Sequence, residues 1–377
     1  MIWCFGGKKK NTKNKLPFIN LCAILCLGNL VAKLQCPLFN SKADNMDQFL
    51  NLKDTNKSAA QVLSEFAEAQ KLSWPLAKSN YEGLKSVEEK LFHFDGFAVK
   101  VQFNPKRMRS SAAKVDKESI AERKCFLCNE NRPPEQQALA FGDEFLILVN
   151  PYPIFKTHLT ISSNTHIDQG FLTNVKALLD LAATMEGFTV LYNGPESGAS
   201  APDHLHFQAG ECDFMPVATD FEWLKLNAGQ LLLSEIHTQV WAFENYLRKM
   251  ISVETSSITE GLAVIYVFYG EFRKLQPEKV EPMMNVLCSW KEEKWTIHLF
   301  PREAHRPTQF FASGPQQLMI SPGSVDLGGV FVTPRREDFD KITEEDIVNI
   351  MAQVSINQNL FTILTHQMKG NLIHNAQ

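Results

Sequence analysis

The chain has 377 residues, 44% of them apolar and 21% charged, enough apolar material for a sizeable core spread over two domains or one large duplicated one. Its 38 Lys+Arg against 42 Asp+Glu leave a net charge of −4, which excludes a global basic field of the kind that draws nucleic acid or a membrane surface. The eight cysteines are unevenly placed in a chain too long to be a disulfide framework.

The first segment is basic, "GGKKKNTKNK", and is followed by the apolar "LPFINLCAILCLGNLV". That order matches the charged and hydrophobic regions of an export signal, although the apolar run is short for a spanning helix and no clear cleavage site follows. Met46 opens a stretch that reads like a natural soluble N-terminus. Residues 1–45 are therefore either a genuine export segment or a spurious extension, and 46–89 form a helical N-terminal segment. Thiolates used as metal ligands suit a reducing, cytoplasmic setting.

Val62, Leu63, Phe66 and Ala69 have helical spacing. Residues 92–103 alternate and predict a strand, and 104–119 form a basic polar loop that leads into "KCFLCNENRPPEQQ". Residues 144–163 predict two strands broken by the prolines near Asn150–Phe155, and 171–185 an amphipathic helix. The strand "FTVLYNG" runs into a loop of small residues, "PESGASAPD", and then into "HLHFQAG". Residues 234–250 have the look of a helix, while 261–270, 282–290 and 294–303 read as strands. One more strand and a helix with a Thr343 cap complete the pattern. Two α+β blocks, about 90–215 and 255–366, suggest a diverged duplication, with halves placed at 90–253 and 254–377.

The pattern His204-x-His206-x-Gln208 puts three polar side chains on one face of a strand, with Leu205 and Phe207 packed behind. Imidazole is a nucleophile toward phosphorus near neutral pH, and a covalent nucleotidyl-histidine divides one displacement into two. Two histidines on a strand face are, on their own, more often structural. The preceding loop weighs against that reading. Gly194 and Gly198 allow close approach of an anion, Ser200 offers a hydroxyl, and Asn193 can bond ribose or phosphate. Cys125-x-x-Cys128 is ambiguous between metal and redox chemistry, but the turn-rich "CNENRPPEQQ" does not open a thioredoxin-like helix. Lys106, Arg107 and Arg109 can grip phosphate, as can Arg302, His305 and Arg306; His298 reads as structural.

"NGPESGASAPDHLHFQAGECDFMPV" resembles the active-site stretch of the galactose-1-phosphate uridylyltransferase branch of the histidine-triad superfamily. It is most similar there to diadenosine tetraphosphate phosphorylases and to GDP-hexose phosphorylases, which share an H-L-H-F-Q-A run. "NPYPIFKTHLTISSNTHI" and "MNVLCSWKEEKWTIHLFPRE" support the likeness, which spans about 90–335. The resemblance implies an α+β, duplicated histidine-triad fold with antiparallel sheet cores flanked by helices. It implies transfer of a nucleoside monophosphate through His206, aided by Ser200 and Gln208, to phosphate or a sugar-phosphate acceptor. It also implies a structural zinc on Cys125, Cys128, His166 and His204, with His158 the competing ligand; the adenosine phosphorylases generally lack this metal. The family often pairs, so a homodimer is open. One departure is Asp203, which lengthens the Gly198–His204 spacing relative to the uridylyltransferases. A nucleotide-binding protein without turnover remains the reading from another class.

Overall fold

Ser58 opens the first element of the computed structural model, which describes residues 57–108 and 115–375, all within the unit Gln48–Gln377. The Ser58 hydroxyl accepts from the Gln61 amide, and the Gln61 side chain accepts from the Ser58 amide. This capping box starts the helix Ala59–Ser73, whose Val62, Leu63, Phe66 and Ala67 turn inward. Pro75 begins a second helix, Pro75–Gly83, at a position where a missing N–H is harmless. The export or start-site reading of residues 1–45 lies outside the described residues. Among the described residues, no helix is long and apolar enough to cross a membrane.

Strands β1 (Glu88–Phe94) and β2 (Phe97–Phe103) form a hairpin where the sequence predicts one strand over 92–103. The Asp95-Gly96 pair makes the break, with Gly96 at φ 77°. The other strands in chain order are β3 (Ala138–Phe141), β4 (Phe145–Val149), β5 (Leu159–Ser163), β6 (Phe188–Asn193) and β7 (His206–Glu211). They continue as β8 (Gly229–Ser234), β9 (Thr238–Tyr246), β10 (Arg248–Thr255), β11 (Met284–Lys291), β12 (Lys294–Pro301) and β13 (Val330–Thr333). β13 joins β2 in parallel to complete a three-stranded sheet, while the ten-stranded sheet runs β3-β4-β5-β7-β6-β11-β12-β10-β9-β8.

The large sheet repeats one plan. Three strands meander (β3-β4-β5, then β8-β9-β10), a helix follows (Val175–Thr184, then Ile258–Leu275), and a hairpin returns. In each half the second hairpin strand lies beside the third meander strand: β7 on β5, and β12 on β10. β6 and β11 join the halves through antiparallel pairs that include Asn193↔Asn285. This is an α+β, duplicated architecture with antiparallel sheet cores and flanking helices. One apolar core lies under the helices Val175–Thr184 and Ile258–Leu275, and a second packs around β2, β13 and the helix Glu344–Val354.

Two further expectations change. Residues 234–250, predicted helical, hold β9 and the first residues of β10, because burial alternates at Thr238, Val240 and Ala242. Residues 261–270, predicted as a strand, lie inside the helix Ile258–Leu275. Ser257 caps that helix, and its buried Gly261, Val264, Ile265, Phe268 and Phe272 follow a helical period. A continuous apolar run cannot be assigned by alternation; length and the cap decide it.

Candidate functional site

β7 places His206 and Gln208 on one face, while Phe207 turns into the core. His204 lies just before the strand, in the turn that follows Pro202-Asp203. The β5–β7 pairing continues one step past Ser162↔His206, since the Ser163 amide donates to Leu205 O. His204 therefore lies just beyond the end of the ladder.

Each imidazole has one nitrogen fixed by the backbone. His206 Nδ1 lies 2.8 Å from the carbonyl oxygen of His204. A carbonyl only accepts, so Nδ1 carries the proton and the Nε2 lone pair is left for the cavity. Burial pulls the His206 pKa down to about 4, so the ring is neutral at pH 7. His204 Nε2 donates to Ser163 O at 2.9 Å, which leaves its Nδ1 lone pair aimed at the thiols.

Cys125 Sγ is 3.3 Å from His204 Nδ1, and Cys128 Sγ is 3.1 Å from His166 Nδ1. The four ligand atoms all lie within 4.8 Å of one another. Soft thiolates with two imidazoles at these separations fit a tetrahedral Zn²⁺ with no open position. Burial raises the Cys125 thiol, but its bond to His204, the amides of Leu127 and Cys128, and the His204 charge together bring it down to about 6. Cysteines 125 and 128 arrive on the turn before the short helix Asn129–Asn131, His166 just after β5, and His204 just before β7. The cluster thus ties three chain segments together beside the catalytic candidate.

His158, the competing ligand, does something else. Its Nδ1 accepts from the Ile154 amide at 3.2 Å, so its Nε2 carries the proton and donates to Gln208 Oε1 at 2.8 Å. That contact occupies the amide oxygen of Gln208 and presents its NH2 group to the cavities. Burial, with the nearby charge of Arg107, pulls the His158 pKa down to about 3 and keeps the ring neutral.

Two cavities meet at this point. A larger one of about 590 Å³ is walled by Trp74, Phe126, Leu127, Leu148 and Pro151, with Ser200, His206 and Gln208 at its edge. Its size and apolar walls suit a small organic ligand. A smaller, polar one of about 110 Å³ is lined by Arg107, Asn193, Gly198, His305, Arg306 and Asp326. Asn150, Ser200 and Gln208 border both. The Ser200 hydroxyl has no hydrogen-bond partner among the described residues. Gly198 holds φ +99°, and a Cβ there would meet Gly323 Cα at 3.2 Å, so only glycine lets this loop pass.

The sequence-predicted residues fall as follows. His206, Ser200, Gln208, Gly198 and Arg107 border the cavities, and Cys125, Cys128, His166 and His204 form the cluster. Asn193 borders the smaller cavity, but its Oδ1 already accepts from Asn285 Nδ2 and the Ser324 amide. Gly194 packs against Met284 O, 3.0 Å from where its Cβ would be, and serves loop closure. Arg109 lies outside the described residues. Arg302 does not reach either cavity. It is 0% exposed, and its guanidinium donates to Val354 O, Asn285 Oδ1, Pro322 O, Ala304 O and His305 O. It holds the backbone at Ala304, His305 and Pro322, next to cavity-lining His305, Arg306 and Gly323, and a cation with all its donors taken by protein has none left for phosphate. Arg306, four residues on, takes the cavity position. His298 bonds Ser252 Oγ in the interior and is structural.

Sequence reasoning missed Asp326 and Arg123, and named His158 only as a competing metal ligand. Asp326 is buried at the smaller cavity, where burial pushes its carboxyl up to about 6. His158 and Arg123 carry no period or motif of their own. Their only signal is proximity in sequence to the "THLTISS" strand and to Cys125.

Residues 66–211 match a family described as a domain of unknown function (DUF4922), and residues 225–375 match one described as the GDPGP1-like C-terminal domain. No curated protein matches the chain. Among solved structures, yeast Ap4A phosphorylase Apa2 is 17% identical, with 78% of this chain and 97% of that one covered and a TM-score of 0.52. Its complex with AMP is 18% identical over 74% and 96%, with a TM-score of 0.48. A uridylyltransferase mutant is 11% identical over 68% and 93%, with a TM-score of 0.35. The chain shares the fold of yeast Ap4A phosphorylase Apa2, at low sequence identity.

Proposed function

We propose that this protein is a nucleotidyltransferase that passes a nucleoside monophosphate through a covalent intermediate on His206, in the manner of an Ap4A phosphorylase. The observation that carries this reading is the His206 Nδ1–H bond to His204 O, which leaves a neutral Nε2 at the edge of the larger cavity. The fold shared with yeast Ap4A phosphorylase is in keeping with it.

The nucleoside occupies the apolar cavity. His206 Nε2 attacks the α-phosphorus; the N–P bond forms and the P–O bond to the leaving group breaks, its electron pair departing with oxygen. The Ser200 hydroxyl and the Gln208 NH2, held outward by His158, donate to the phosphoryl oxygens as charge develops. Gln208 has no proton to give a leaving group, so the leaving group must already be a good one, as a phosphate is. Inorganic phosphate or a sugar phosphate seated near Arg107 and Arg306 then attacks the intermediate and restores His206. Zinc, when bound by Cys125, Cys128, His166 and His204, supplies structural cross-linking and no reacting position. A reducing, cytoplasmic setting keeps both thiols available to it.

A second reading, a GDP-hexose phosphorylase, is favoured by the His204–Ala209 run, His-Leu-His-Phe-Gln-Ala. The two separate by substrate. With inorganic phosphate, the first releases ADP from diadenosine tetraphosphate, and the second releases GDP from a GDP-hexose. If no nucleotide in a broad panel labels the wild type or is turned over, the transfer reading fails and a binding role replaces it.

A further inference from the structure

Arg123 precedes Cys125 by two residues, and Asp203 directly precedes His204. The two form an ion pair, with Arg123 Nη2 2.6 Å from Asp203 Oδ1. The guanidinium also lies over the Phe126 ring, 5.1 Å from its centroid. Its other terminal nitrogen, Nη1, is buried and has no hydrogen-bond partner among the described residues. A buried guanidinium N–H without an acceptor is costly, so it marks a place where an acceptor belongs. Arg123 lines the larger cavity together with Ser200, His206 and Gln208, and its charge acts on the His206 ring.

We propose that Arg123 grips the phosphoryl group of the nucleotide at His206, with Asp203 holding the guanidinium in place. This rests on the reading that a nucleotide binds there. The arrangement has a mechanical logic. Both partners of the ion pair sit within two residues of the Cys/His cluster, so the cluster that fixes His204 also fixes the cation and its anchor. Asp203 engages one end of the guanidinium and Phe126 covers a face, at the wall of the cavity that His206 also lines; a phosphoryl oxygen reaching Nη1 would have to displace the groups that now cover it. During transfer Arg123 neither gives nor takes a proton; it meets charge that grows on the phosphoryl oxygens while the N–P bond forms and the P–O bond breaks.

Calorimetry tests this on the zinc-loaded protein, with AMP, GMP and UMP and the three matching nucleosides as probes. Arg123→Ala should weaken the best-bound monophosphate roughly 10- to 100-fold and leave its nucleoside within about twofold. Arg123→Lys should recover part of the loss. Asp203→Asn should lose less, at unchanged zinc content and melting temperature. The proposal is overturned if Arg123→Ala binds the monophosphate like the wild type, if both ligand classes weaken together, or if no monophosphate binds the wild type. Labelling of His206 separates the two ideas. Equal labelling rates in wild type and Arg123→Ala defeat the role of Arg123 and leave transfer standing. A selective binding loss without any labelling of the wild type defeats transfer and supports Arg123.

Discussion

The Nδ1 of His206 and the carbonyl oxygen of His204 stand 2.8 Å apart, and this single contact determines which nitrogen of His206 is free to react. The residue before the strand thereby sets the chemistry of the residue that begins it. His204 does so with its backbone, while its own ring faces the thiols. His206→Ala should leave the melting temperature within a few degrees and reduce nucleotidyl transfer by roughly 10³-fold or more. Labelling by a radioactive nucleotide, followed by acid and base treatment, reads the phosphoramidate directly. A His206→Ala protein that still labels at the wild-type rate would remove this residue from the mechanism.

The pair His158–Gln208 should act as a unit. His158→Leu removes the donor that holds the Gln208 oxygen. We expect kcat to fall roughly 10-fold with KM changed less than about threefold, and Gln208→Ala to behave similarly. The double variant should be little worse than either single one, since both remove the same oriented NH2 group. Losses that multiply in the double variant would show that the two residues work independently.

Metal analysis of protein purified without chelator should find about one zinc per chain, bound by the four-residue cluster. Cys128→Ser should lose most of it and lower the melting temperature by several degrees, because three chain segments lose a shared anchor. Retention of full zinc in Cys128→Ser would mean that the metal sits elsewhere.

Arg302 and Arg306 should separate cleanly. Arg302→Ala leaves several buried carbonyl acceptors without a donor, so it should cost roughly 2–4 kcal/mol in denaturant unfolding. Arg306→Ala should change stability by less than about 1 kcal/mol and raise the KM for the phosphate acceptor roughly 10-fold. The reverse pattern would return Arg302 to the binding site.

Glu281 gives the stability a pH signature. Burial raises its carboxyl from 4.5 to about 7, against the opposing bonds from the Phe171 amide and the Tyr192 hydroxyl. A folded pKa above the unfolded one contributes stability that is complete below about 4.5 and is lost as pH rises through about 7. Glu281→Gln should therefore flatten the decline in stability between pH 5 and 8, by on the order of 1–3 kcal/mol. Unfolding midpoints measured across that window check it, and an unchanged slope would exclude Glu281 as its source.

Much of this was legible in the linear pattern. The apolar period of Val62, Leu63 and Phe66 and the Thr343 cap declare themselves locally. Local physics suffices there, because capping and side-chain periodicity involve residues three or four positions apart. The Cys125, Cys128, His166 and His204 grouping came from the resemblance, and the fold brings these residues within ligand distance of one another.

The sequence by itself determined which residue types carry the chemistry: an H-x-H-x-Q run, a glycine–serine loop and a C-x-x-C. Only tertiary structure decided their division of labour. Arg302 and Arg306 are alike as letters, yet one is sealed among backbone carbonyls and the other borders a cavity. His158, His204 and His206 differ by what lies opposite each nitrogen: an amide and a glutamine, a carbonyl and two thiols, a carbonyl and an open cavity. Arg123 and Asp203 are 80 positions apart, and only folding brings them together. The physical reason is common to all three cases. Tautomer, burial and hydrogen-bond satisfaction depend on the partner across space, and a chain read in order does not contain that partner.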